Sequence, residues 1–178
     1  MDKTALDFRW LAGSSIVLCA IAPGYATTYM SVEQAQAALF PRASFVSMPL
    51  TLTADQISAV EAKTKVPVKL GQLNVWRTTT GGFLFVDKVI GKHDLITFAL
   101  AIEETGHIKG IEILDYREAY GYEIRGAKWR EQFVGKTKDA ALTVGDDIKN
   151  ISGATLSTRH VTNAVRNLIA IYALVLSH

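Results

Sequence analysis

The sequence predicts an α+β fold, an antiparallel sheet with flanking helices, and three observations predict it. Four segments in the middle of the chain are rich in branched and aromatic residues and are separated by short turn signals. Apolar residues at helical spacing precede them, and a longer helical pattern follows them. With 178 residues and 49% of them apolar, the chain has material for one compact domain and at most an appendage.

The first 26 residues stand apart. Lys3 and Arg9 flank the start, an apolar run spans Trp10 to Ala22, and Pro23-Gly24-Tyr25-Ala26 precedes Thr27. This order reads as a secretory signal peptide cut after Ala26, with an uncleaved membrane anchor as the alternative. The run is shorter than the roughly 20 residues of a spanning helix. Export puts the protein in the periplasm or on the outer face of the cytoplasmic membrane. Cys19 is the single cysteine and lies in the leader, so a chain cut after Ala26 has neither a disulfide nor a cysteine-ligated metal or iron–sulfur centre.

Residues 27–70 read as an N-terminal helical segment. Val32, Ala35, Ala38 and Leu39 fall on one helical face behind Ser31, a good cap, and Phe40-Pro41 ends the run. A second helix starts at Thr53 and carries Ile57, Val60 and Ala62. Glu61 and Lys65 are spaced on it for an ion pair one turn apart, and Pro67 stops it.

The period changes in the second unit, residues 71–178. Strands are predicted over Leu73 to Arg77, Gly82 to Ile90, Leu95 to Glu103 and Ile108 to Asp115. The turns Thr80-Gly81-Gly82, Gly91-Lys92-His93-Asp94 and Glu104-Thr105-Gly106-His107 join them into an antiparallel meander. A short helix follows through Phe133, with Trp129 as a packing anchor. The last helix carries Val161, Val165, Leu168, Tyr172 and Val175 and runs for about five turns.

Nineteen Lys and Arg against 17 Asp and Glu, with no long run of one sign, leave no footprint for nucleic acid. His93 and His107 sit in turns without a second ligand at metal spacing, so no metal site is expected. No nicotinamide fingerprint of the G-x-G-x-x-G type is present, and no residue is singled out as catalytic.

The chemistry concentrates where the last helix begins. Ser152-Gly153-Ala154-Thr155 and Leu156-Ser157-Thr158 form a loop of small and hydroxyl residues, so backbone N–H groups and the positive end of the helix dipole can face an anion. Arg159 and His160 in the first turns add charge or hydrogen bonds. Physically, the same residues also suit an ordinary helix start with Ser157 or Thr158 as its cap.

Ser152-Gly153-Ala154-Thr155 followed by a helix resembles the flavinylation motif of the FMN-binding domain family, which includes flavin subunits of the Rnf and sodium-pumping NADH:quinone oxidoreductase complexes. The likeness extends upstream to Gly82, through Gly110-Ile111-Glu112-Ile113-Leu114, Glu118 and Trp129-Arg130-Glu131-Gln132-Phe133. The resemblance implies an FMN-binding fold and FMN joined by a phosphoester to the Thr155 hydroxyl. It also implies an exported, magnesium-dependent flavin transferase that uses FAD as donor. Two departures mark this chain as a stand-alone member. Lys149 stands where the family often has aspartate, with Asp146 and Asp147 nearby. Arg117-Glu118-Ala119-Tyr120-Gly121-Tyr122-Glu123 replaces the usual Glu-Thr-Pro-Gly-Leu-Gly loop expected beside the flavin ring. Tyr120 and Tyr122 either stack on that ring or serve as packing; His160 either touches the phosphate or ring edge or stays on the helix surface.

The function expected is extracytoplasmic electron transfer with a membrane or periplasmic redox partner. Two alternatives stay open: a small flavin-dependent reductase of an external acceptor, and a non-redox exported binding module.

Overall fold

The computed structural model describes residues 29–118 and 120–177, so the expected leader, its cut after Ala26 and Cys19 lie outside the described residues, as does Ala119. Within them the fold is α+β, as the alternation of periods predicts. Six strands form one antiparallel sheet: β1 (Phe45–Ser47), β2 (Leu50–Thr51), β3 (Gln72–Thr78), β4 (Phe83–Ile90), β5 (Leu95–Ile102) and β6 (Ile108–Tyr116). The order is β1-β3-β4-β5-β6, and β2 pairs with the other end of β3. The two short strands, absent from the sequence reading, therefore act as one broken edge strand: Ser47 pairs with Trp76 and Leu50 with Leu73.

The sheet is covered on both faces, which explains why β4 and β5 read as nearly continuous apolar runs. On one face α1 (Val32–Leu39) packs Ala35 and Leu39 against Leu84, Val86, Ala99, Ala101 and Leu114. On the other, α2 (Ala54–Thr64) and α4 (Thr155–Ile171) bury Val60, Val161, Val165 and Leu168 against Phe85, Phe98, Leu100 and Ile111. Truncating a side chain such as Phe98, fully buried in that layer, to alanine costs about 3–5 kcal/mol.

The helix starts behave as their capping residues predict. Ser31 and Thr53 each close a capping box, with Gln34 and Gln56 three residues on. The expected Glu61–Lys65 pair does not form. Lys65 takes a left-handed conformation (φ 59°) as the C-cap of α2, and Glu61 accepts a hydrogen bond from the Val68 N–H at 2.7 Å instead. After β6 the chain runs through a 3₁₀ turn (Tyr122–Arg125), α3 (Ala127–Arg130) and a second 3₁₀ turn (Glu131–Phe133) before α4, whose end unwinds into a π turn (Tyr172–Leu176).

One irregularity aims the sheet at the site. Thr97 pairs with Asp115 but Phe98 pairs with Ile113, so Leu114 is an extra residue, a β-bulge. A one-residue bulge exchanges the faces of everything beyond it. Tyr116 is thereby turned to the α4 side, opposite Ile96, instead of toward α1. Among the described residues no helix is long and apolar enough to cross a membrane.

Candidate functional site

Three pieces of chain meet where α4 begins: the loop before it, the loop after β6, and the turn joining β4 to β5. The approach to α4 is held by its backbone. Lys149 donates its N–H to Gln132 Oε1 at 2.8 Å and accepts the Trp129 indole N–H at 3.0 Å. Trp129 is buried edge-on to Phe133, ring centroids 5.0 Å apart, so it is a packing anchor that also fixes the path into the motif. The Lys149 side chain is exposed, so the loop's course does not depend on which side chain stands there. Asp147 is engaged upstream. Burial acts to raise its carboxyl, but hydrogen bonds from Lys136 and the N–H groups of Thr143 and Leu142 outweigh this and hold it below the ordinary range.

The helix starts at Thr155 itself, with Ala154 in the N-cap position (φ −126°, ψ 30°) and no side-chain cap. Ser157 and Thr158 are therefore not caps, contrary to the ordinary-helix-start reading. The first intrahelical bond runs from the Thr158 N–H to the Ala154 carbonyl at 3.0 Å, which leaves the N–H groups of Thr155, Leu156 and Ser157 ahead of it at the positive end of the helix dipole. Thr155 is exposed, as are Ser152, Gly153, Leu156 and Arg159. Asn150, which nothing in the local sequence pattern singles out, donates from Nδ2 to Thr155 Oγ1 at 3.0 Å and accepts from Thr158 Oγ1 at 2.8 Å.

The loop after β6 packs directly on the motif. Gly121 has a left-handed backbone (φ 82°), and a Cβ built there would overlap the Ala154 Cβ and lie 2.8 Å from Tyr116 Oη. Only glycine combines that conformation with so close an approach. Beneath it the Tyr116 hydroxyl donates to the Tyr120 carbonyl at 2.5 Å and bonds the buried Ser157 side chain. Burial raises the Tyr116 hydroxyl above its ordinary pKa, and the Ser157 bond opposes that in part. Sequence reasoning missed Tyr116 because a plain alternation puts it on the other face.

Glu118 and His160 both tie their elements to the β4–β5 turn. Burial acts to raise the Glu118 carboxyl, but the N–H groups of His93, Asp94 and Lys92 outweigh it and keep the group below its ordinary value. Its Oε1 accepts from His93 at 2.6 Å and Asp94 at 3.1 Å, so it clamps the β4–β5 turn. His160 Nδ1 bonds the Ile90 carbonyl at 2.5 Å. A carbonyl only accepts, so Nδ1 carries the hydrogen and this edge of the ring is committed to the hairpin. His107 pairs with Thr105 within its own turn. Among the described residues no group of three potential metal ligands stands together.

Tyr120 and Tyr122 are 77% and 69% exposed, so they are not packing residues. Tyr122 and Trp129 line an open groove of about 690 Å3 with Asn150, Ile151 and the cationic Arg125, Lys128 and Lys149. That volume is within the range of small-molecule sites.

The geometry is that of a phosphate-receptive helix start whose first residue, Thr155, is exposed beside an open groove. The model of the FMN-binding domain matches residues 91–170, from the β4–β5 turn almost to the end of α4. That stretch belongs to the FMN-binding domain family, and the protein is a flavin-binding protein. No curated protein matches the sequence.

Proposed function

We propose that the protein carries FMN joined through its phosphate to Thr155 Oγ1 and works as an electron carrier outside the cytoplasm. The observation that carries the reading is the exposed Thr155 hydroxyl at the first residue of an uncapped helix, inside the stretch that matches the FMN-binding domain. The residues present fit the group. The N–H groups of the first turn meet phosphate charge, and Arg159 adds to it. Asn150 holds the acceptor oxygen, and its donation to Oγ1 leaves the hydroxyl's own proton to be removed. Tyr122 offers an exposed face for a flat ring, while Arg125, Lys128 and Lys149, set against Glu123, leave the groove with net positive charge that favours the ring's reduced, more negative state.

Attachment forms the bond from Thr155 Oγ1 to phosphorus as the pyrophosphate of FAD breaks. AMP leaves, and the hydroxyl proton passes to a base of a magnesium-dependent transferase, the maturation partner. This chain thus needs no activated nucleophile of its own. Once bound, FMN supplies one- and two-electron transfer. A covalent link keeps the cofactor on a protein exported to the periplasm or the outer membrane face, where electrons pass to and from a membrane or periplasmic partner.

The test is coexpression with a flavin transferase followed by denaturation. Yellow colour that stays with the denatured chain, is lost in Thr155→Val and is kept in Ser152→Ala supports the reading. Colour that washes away, or that survives Thr155→Val, overturns it.

A further inference from the structure

The chain ahead of α1 straps across the far end of β6. Tyr29 donates its backbone N–H to the Leu114 carbonyl at 2.9 Å, and Met30 donates to the same oxygen at 3.3 Å. The Tyr29 hydroxyl donates to the Tyr116 carbonyl at 3.3 Å, and its half-buried ring packs against the main core. Backbone, hydroxyl and ring are thus all fixed. Over that ring lies Arg125, its Cζ 3.2 Å from the ring centroid, well within reach of a guanidinium on an aromatic face. The Arg125 backbone is held as well. Its carbonyl accepts from Arg130 Nε at 2.9 Å, and the neighbouring Ile124 is fully buried. Arg125 is one of the residues lining the groove beside Thr155. Among the described residues its guanidinium makes no ion pair, although Glu123 lines the same groove.

We propose that Tyr29 is a positioning residue for the flavin: it holds the Arg125 guanidinium beside the groove with its charge intact, and so raises the flavin's reduction potential. The inference rests on the flavin reading of that groove. The kind of holder matters. A carboxylate would fix the guanidinium but cancel its charge, whereas a ring face attracts the cation through its quadrupole and leaves it positive. An arginine without a partner samples many rotamers and spreads its charge through solvent; one stacked on a fixed ring keeps it in one place. A positive charge kept beside the groove favours the reduced, more negative flavin. Tyr29 lies outside residues 91–170, so the stretch that matches the family does not supply this contact.

The test uses the full chain in two forms. In unloaded, 15N-labelled protein the ring current of Tyr29 should move the Arg125 Nε–H signal upfield. Tyr29→Leu returns it to the free-arginine position and Tyr29→Phe does not. In protein loaded by coexpression with a flavin transferase, the midpoint potential is read by equilibration with a reference dye. Tyr29→Leu should lower it, changing the oxidised-to-reduced ratio at a fixed potential roughly two- to fivefold, or about 9–20 mV for a two-electron couple. Tyr29→Phe, which keeps the ring, holds the native potential. Arg125→Gln lowers the potential at least as far as Tyr29→Leu does, and Tyr29→Leu adds nothing in that background. Arg125→Lys, which keeps the charge without the planar stack and leaves Tyr29 in place, also lowers it. High salt shrinks each difference, because a charge at the surface is screened. A free-arginine signal in the native protein, a potential unmoved or raised by Tyr29→Leu or Arg125→Lys, or a Tyr29→Leu shift that survives Arg125→Gln would each overturn the proposal. Protein that takes no flavin overturns the underlying reading and the tuning role with it, and the Arg125 signal, which needs no flavin, still decides whether the stack exists.

Discussion

Gly121→Ala tests the contact that joins the post-β6 loop to the flavinylation motif. Two penalties act at once. The backbone is left-handed, which costs a residue with a Cβ roughly 1–2 kcal/mol. The new methyl also overlaps the Ala154 Cβ, and overpacking of this kind costs about 1–3 kcal/mol. The total, about 2–5 kcal/mol, lowers Tm by roughly 4–20 °C for a chain of this size. Gly153→Ala is the internal control. Its φ of 79° carries the same backbone penalty, but nothing lies within 4 Å of the added Cβ. Thermal unfolding followed by circular dichroism should place Gly121→Ala below Gly153→Ala by roughly 2–12 °C, the steric part alone. Equal Tm losses in the two variants would refute the claim that the loop is wedged against the motif.

Three further outcomes follow from the same geometry. Asn150→Leu removes the donor to Thr155 Oγ1 and should slow flavin attachment by roughly fivefold, read as label incorporated per minute with the transferase, without loss of fold. Tyr116→Phe strips the hydroxyl shared by the Tyr120 carbonyl and Ser157 and should cost about 1 kcal/mol, or 2–4 °C in Tm. Glu118 titrates below its ordinary value of 4.5 in the folded protein, so its stabilising effect is present above that pH and is lost as pH falls through the lower folded value. The Tm difference between the native protein and Glu118→Gln should therefore be full at neutral pH and close on acidification below about 4.5.

What could be read from the sequence was whatever local chemistry decides. Ser31 and Thr53 cap their helices because the glutamine three residues on completes each box, and the four long strands carry enough branched and aromatic residues to announce themselves. β1 and β2 could not be read, because three and two residues show no period and exist only by pairing with β3. The Thr155 motif was legible as an anion-receptive helix start, but its supports were not. Tyr116 reaches the motif only because the Leu114 bulge exchanges sheet faces, and no residue type signals that bulge. Asn150 lies five residues from the hydroxyl it holds, with no pattern to mark it. Glu118 stood out by likeness to the family, yet its partners are N–H groups 24 and 25 residues away, so its clamp on the hairpin is a property of the fold.

The covalent claim has a direct readout in the sequence around the motif. Trypsin cuts after Lys149 and Arg159 and releases the peptide from Asn150 to Arg159, which holds four hydroxyl side chains: Ser152, Thr155, Ser157 and Thr158. Tandem mass spectrometry of that peptide, from protein coexpressed with the transferase, should find the mass of FMN less one water on Thr155 alone. An unmodified peptide, or the added mass on Ser152, Ser157 or Thr158, would contradict the account.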